Sequence, residues 1–161
     1  MKHVSHHFDV YINEDSYILI LGSMPSIITR KKDFYYMNPN NRFYKILSII
    51  YNDDFNNENI EIKKELLKKH HIALYDVISE CDINNSSDQS IKNVIPTDIS
   101  TIIKNYPIRK IVLNGKKAYE LFLKFNNEYK DIAICLPSTS PANAKFNLDN
   151  LVKEWEVIKN I

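Results

Sequence analysis

The chain has 161 residues, 44% of them hydrophobic and 25% charged, with a formal net charge of +1. That is ordinary globular usage, with enough length for one domain and its own core. The near-neutral balance does not announce a nucleic-acid binder, nor does it exclude one, because phosphates can be held by backbone N–H groups, hydroxyls and a few local cations. No apolar run approaches the roughly 18 residues of a membrane span. The N-terminus, Met1 to His7, has no apolar signal segment, so a cytoplasmic protein is expected. Cys81 and Cys135 match no metal-ligand spacing and are too few for a thiolate-held iron–sulfur cluster. Cys135 stands in an apolar run and is expected to be a small core residue.

In chain order, Tyr17–Leu21 is the first predicted strand, apolar without alternation, as in a strand covered on both faces. It ends in Gly22-Ser23, and Pro25 stops any helix from running through. The chain has only two glycines, Gly22 and Gly115, so Gly22 marks a sharp turn or a close approach of some other group. After the ring- and amide-rich segment Tyr35–Asn41, the recurrence of Phe43, Ile46, Leu47, Ile50 and Tyr51 predicts a helix over 41–51. A shorter helix over 60–69 ends in Lys68, Lys69 and the pair His70-His71, read as a solvated helix end.

The run 72–78 is the second predicted strand and carries Asp76 near its end, followed by a polar loop over 82–93. Asp98 caps a helix over 99–106 that Pro107 stops. Strand 109–113 runs into Asn114-Gly115 and a helix through Ala118, Leu121, Phe122 and Phe125. Strand 132–136 runs into Pro137-Ser138-Thr139-Ser140-Pro141-Ala142-Asn143-Ala144, and a last helix covers 148–159. Strands alternating with helices predict a single α/β domain over 1–161 with a parallel sheet. All four polar loops then lie at the strands' carboxyl edge, where such folds bind ligands. That edge offers hydroxyls, carboxamides, aromatic rings and one carboxylate, with no histidine and no acid cluster. The set suits a flat ligand with a polar rim, such as a nucleobase. Nucleophilic triads, catalytic zinc and nucleotide triphosphate hydrolysis find no support.

Three segments also carry a resemblance: Gly22-Ser23-Met24-Pro25; Tyr35-Tyr36 with Asn38-Pro39-Asn40-Asn41-Arg42-Phe43; and Leu136 to Ala144. Together they resemble the signatures of the uracil-DNA glycosylase superfamily, and more narrowly its hypoxanthine-DNA (deoxyinosine) glycosylase branch. Ser26, Asn38 and Tyr44 depart from that branch, which often has Gly, His and Trp there. The resemblance implies a three-layer α/β/α fold with a four-stranded parallel sheet. It also implies monofunctional, cofactor-free hydrolysis of the N-glycosidic bond of a deaminated base flipped out of DNA, without a metal.

Carried over residue by residue, the resemblance makes Asn41 the catalytic residue, orienting water toward the sugar. Asn at this position also suits a plain helix N-cap. Tyr36 would stack on the base, Asp76 would read its edge, and Gly22, Ser23, Met24 and Pro25 would cradle it, with Asn114 in support. Core packing is the other reading of Tyr36, and a structural acceptor that of Asp76. Ser138, Thr139, Ser140, Pro141, Ala142, Asn143 and Lys145 would meet the DNA, as would Arg30, Lys31 and Lys32. DNA is the expected partner, with a monomer sufficing. Two other functions fit the same residues. One is a uracil or mismatched-thymine glycosylase of the same superfamily; the other is a non-catalytic α/β domain that binds a nucleotide or DNA.

Overall fold

The computed structural model describes residues 2–6, 9–24, 31–84 and 88–161. Seven strands are defined among them: β1 Lys2–Ser5, β2 Ile18–Gly22, β3 Ile72–Asp76, β4 Ile78–Ile83, β5 Lys92–Pro96, β6 Lys110–Asn114 and β7 Ala133–Leu136. The α-helices are α1 Phe43–Tyr51, α2 Ile60–Lys69, α3 Ile99–Asn105, α4 Lys116–Asn126 and α5 Leu148–Trp155, the last continued by a 3-10 segment over Glu156–Asn160.

The main sheet has the order β3-β2-β6-β7, with every pairing parallel. Its side chains alternate between two cores. Ile18, Ile20, Ile72, Leu74 and Val112 face α1, α2 and α5 through Phe43, Ile46, Leu47, Leu67, Leu151 and Trp155. Leu19, Leu21, Ala73, Ile111 and Leu113 face α3 and α4 through Ile99, Ile102, Ala118, Leu121 and Phe122. The result is the expected three-layer α/β/α arrangement, and the unbroken burial of β2 follows from helices on both faces. No described helix is long and apolar enough to cross a membrane.

Several features depart from the sequence expectation. A second sheet, β1-β4-β5, is antiparallel and packs Val4, Ile78, Cys81 and Ile83 against the α3–α4 side. The predicted second strand therefore breaks at Val77. Val77 N–H donates to Gly22 O at 2.8 Å and Ile78 N–H to Ser23 O at 3.1 Å as the chain leaves one sheet for the other. Much of the expected 82–93 loop belongs to β4, β5 and the 3-10 turn between them. Cys135 is exposed rather than a core residue, because β7 is an edge strand and only Leu136 of it is buried. His70 is not a freely solvated helix end: it hydrogen-bonds Asp53 Oδ2 at 2.7 Å and stacks on Tyr51 at 4.2 Å between ring centroids.

Candidate active site

Sheet register brings the predicted site residues level with one another. Gly22 pairs with Asp76, and Asn114 pairs with Leu136, so the last rungs of all four parallel strands form one rim. Gly22 is required there for close approach. A Cβ on it would stand 2.6 Å from Asp76 Oδ1 and 3.2 Å from the Tyr36 hydroxyl. Gly22→Ala is therefore expected to cost about 1–3 kcal/mol of stability through overpacking, read as a lower urea midpoint at unchanged m-value.

Asp76 is 3% exposed. Burial pushes its carboxyl above the usual carboxylate range, and the hydrogen bond from His6 pulls it back. That bond, His6 Nε2 to Asp76 Oδ2 at 2.8 Å, corrects the expectation of a histidine-free site. His6 follows β1 and reaches the rim from the second sheet, with its ring against Tyr35 and Tyr75 at 5.9 and 5.1 Å. No local pattern in the sequence signals a contact across 70 positions.

Tyr36 has a positive φ of 58°, a strained value for a non-glycine residue. One face of its ring stacks on Phe43, at 4.1 Å and 30°. Burial pushes its phenol far above the ordinary range, and the nearby Asp76 charge adds to this. Ser23 is buried; Met24 is half-buried and packs against the α3–α4 core. Pro25 and Arg30 lie outside the described residues.

Asn41 stands one residue outside the N-cap of α1, which is Arg42. Its Oδ1 accepts from Phe43 N–H at 2.9 Å, so it still caps the first helical donor as an N-cap would. The same oxygen accepts from the Thr139 hydroxyl at 2.8 Å. Asn114 completes the connection: its Nδ2 donates to Thr139 Oγ1 at 3.0 Å and its Oδ1 accepts from Thr139 N–H at 3.0 Å. Thr139 O in turn accepts from Arg42 N–H at 3.1 Å. Thr139 is 0% exposed, with its hydroxyl, N–H and carbonyl all bonded inside the chain. It has no group left for a phosphate, and that part of the sequence expectation is corrected.

The rest of the loop does reach the surface. Pro141, Ala142 and Lys145 are exposed, and Ser138, Ser140 and Asn143 are half-buried. Ser138 Oγ accepts from Ser140 N–H and Ser140 Oγ from Ala142 N–H, each at 3.2 Å. Each hydroxyl thereby keeps its own proton to donate. Asn143 Nδ2 donates to Ser138 O at 2.9 Å and closes the turn. Two residues to which the sequence gives no role in the site hold this loop. Trp155 Nε1 donates to Pro137 O at 2.9 Å. The Arg42 guanidinium donates to Ser140 O at 2.9 Å, to Asn143 O at 3.0 Å and to Phe146 O. An arginine beside an Asn-rich turn carries no sign in sequence that it will fold back onto three carbonyls. Among the described residues, no group of His, Cys, Asp or Glu is arranged to hold a metal ion.

Comparison with known proteins identifies the family and the fold. A profile of the Uracil DNA glycosylase superfamily matches residues 10–159. The hypoxanthine DNA glycosylase of Methanosarcina acetivorans is 33% identical over 154 residues, covering 94% of this chain and 95% of that protein. The hypoxanthine DNA glycosylase of Methanosarcina barkeri is 35% identical over 114 residues, covering 70% and 72%. A solution NMR structure of a Methanosarcina acetivorans protein, described as a candidate uracil DNA glycosylase, superposes with a TM-score of 0.82 at 32% identity and 94% coverage of both chains. The chain belongs to the uracil DNA glycosylase superfamily, and its enzyme class is that of a DNA glycosylase.

Proposed function

We propose that the chain excises hypoxanthine, and secondarily uracil, from DNA by hydrolysing the N-glycosidic bond, with Asn41 placing the water. The supporting observation is the held position of Asn41 at the end of the sheet that also carries Asp76 and Asn114. The amide is anchored to α1 on one side and to the Ser138–Asn143 loop on the other. The two Methanosarcina relatives, both hypoxanthine DNA glycosylases, supply the substrate class.

In this reading the target nucleotide leaves the stack at a cost of a few kcal/mol, least at a mispair. Its base enters beside Tyr36, whose ring is backed by Phe43. Asp76 lies at the floor with Oδ2 held by His6, leaving Oδ1 to accept the N1–H of hypoxanthine or the N3–H of uracil. The C1′–N bond breaks with positive charge on the sugar and negative charge on the base, which backbone N–H groups of Ser23 and Met24 stabilise. The water oxygen bonds to C1′, its proton passes to solvent, and the base leaves as an anion that is protonated afterwards. Ser138, Ser140 and Lys145 hold phosphates, with Pro141 and Ala142 at the gap in the stack. The protein acts as a monomer and needs neither metal nor cofactor.

The test is incubation with duplexes carrying inosine, uracil, xanthine or a G·T mispair, followed by alkali. Strand cleavage at inosine, weaker at uracil and dependent on alkali, is the expected result. No abasic site on any duplex would reject the reading, and nicking without alkali would replace monofunctional hydrolysis by a lyase. Preference for uracil would favour the second reading, since one Asp76 hydrogen bond serves either edge and the superposed structure is described as a candidate uracil enzyme.

A further inference from the structure

Which end of the Asn41 carboxamide does the work follows from the hydrogen bonds around it. Phe43 N–H can only donate, so the Asn41 atom 2.9 Å from it is the carbonyl oxygen. Asn114 is oriented by the same logic. Thr139 N–H can only donate, so Asn114 Oδ1 faces it and Asn114 Nδ2 faces Thr139 Oγ1, each at 3.0 Å. Thr139 Oγ1 thus already accepts a proton, and its own single proton goes to Asn41 Oδ1 at 2.8 Å. Both lone pairs of that oxygen are then occupied. Thr139 is 0% exposed, so bulk water does not compete for its bonds. Among the described residues, the one polar atom of the Asn41 side chain left to meet a ligand is Nδ2, which carries two protons and accepts nothing.

We propose that Thr139 is a positioning residue: the Asn114–Thr139 chain locks the Asn41 carboxamide carbonyl-inward, so that Asn41 acts as an N–H donor and not as a proton acceptor. The inference rests on Asn41 being the catalytic residue, as proposed above. A water can accept an Asn41 N–H on one lone pair and keep the other for C1′. Its proton leaves to solvent and not to the amide. Without Thr139 the carbonyl keeps only the Phe43 bond, and the amide gains rotational freedom at the moment when orientation counts most.

The experiment compares single-turnover excision of inosine with separately measured duplex affinity in three variants. Thr139→Val keeps the shape and removes the hydroxyl. It should lower the rate about 10- to 100-fold with affinity within about threefold. Thr139→Ser restores the hydroxyl and should recover the rate to within about threefold of wild type. Asn41→Asp keeps an oxygen for Phe43 and Thr139 but replaces the N–H donors by an acceptor. It should lose at least about 100-fold at neutral pH.

Full activity in Thr139→Val, or in Asn41→Asp, overturns the inference. If Thr139→Val does not melt cooperatively, Asn41→Asp decides alone. A wild-type protein inactive on every duplex overturns the glycosylase reading and the inference together. Active wild type with a fully active Thr139→Val or Asn41→Asp overturns the inference alone.

Discussion

Asn41→Ala is expected to lower single-turnover excision of hypoxanthine by about 100- to 1000-fold while duplex affinity changes less than about threefold. The split follows from what the side chain touches. Asn41 is bonded to Phe43 N–H and the Thr139 hydroxyl, and the exposed loop positions that meet DNA in our reading, Pro141, Ala142 and Lys145, belong to another segment. Truncation removes the group that places the water and leaves the DNA-facing surface intact. It also removes a helix cap and a half-buried acceptor of two hydrogen bonds, so the variant should be less stable by about 1–2 kcal/mol. For a domain of this size that is a fall in melting temperature of roughly 2–8 °C, well short of unfolding at the assay temperature. Rate, affinity and melting curve must therefore be measured on the same preparation. Equal losses of rate and affinity would make Asn41 a binding residue and assign the placing of the water to another group.

The parallel sheet was readable in the sequence because each of its strands is a short apolar run bounded by turn residues, and such runs need no partner to be recognised. The site was readable for the same reason. Once β2, β3, β6 and β7 are parallel, Gly22, Asp76, Asn114 and the loop after Leu136 must share an edge. Features set by one element meeting another were hidden. β1 buries only Val4, too little for any periodicity to show. The break at Val77 falls inside a run, 72–78, that is apolar but for Asp76, and Val77 between the two strands is itself buried, so nothing in the pattern marks the divide. His6 reaches Asp76 only because the second sheet folds over the rim. Cys135 looked internal from its neighbours, whereas its exposure depends on β7 having no partner on its far side. The role given to Thr139 failed differently. A hydroxyl in a Ser-Thr-Ser loop looks like a phosphate ligand until burial shows it turned inward.

Arg42→Ala should have a broader effect than Asn41→Ala, lowering stability, affinity and rate together. The guanidinium is the clasp of the 138–146 loop, donating to the carbonyls of Ser140, Asn143 and Phe146. Hydrogen bonds from a charged donor are worth about 1.5–3 kcal/mol each, but carbonyls freed at a half-exposed loop regain water, so the net loss should be about 2–4 kcal/mol. That corresponds to roughly 4–16 °C in melting temperature. The loop then loses the curvature that sets Ser138 and Ser140 beside the strand ends, and affinity should fall at least about tenfold through added ordering cost on binding. The rate should fall as well, because the loop also carries Thr139, one of the two anchors of Asn41. Arg42→Lys should recover little, since one ammonium on a flexible stem cannot span three carbonyls as a planar fork does. The contrast is measurable in one series of duplex titrations, single-turnover rates and melts. Asn41→Ala separates rate from affinity, and Arg42→Ala moves both along with stability. An Arg42→Ala protein with wild-type affinity and melting temperature would mean that the loop keeps its shape unaided, and Arg42 would then hold no part of the site.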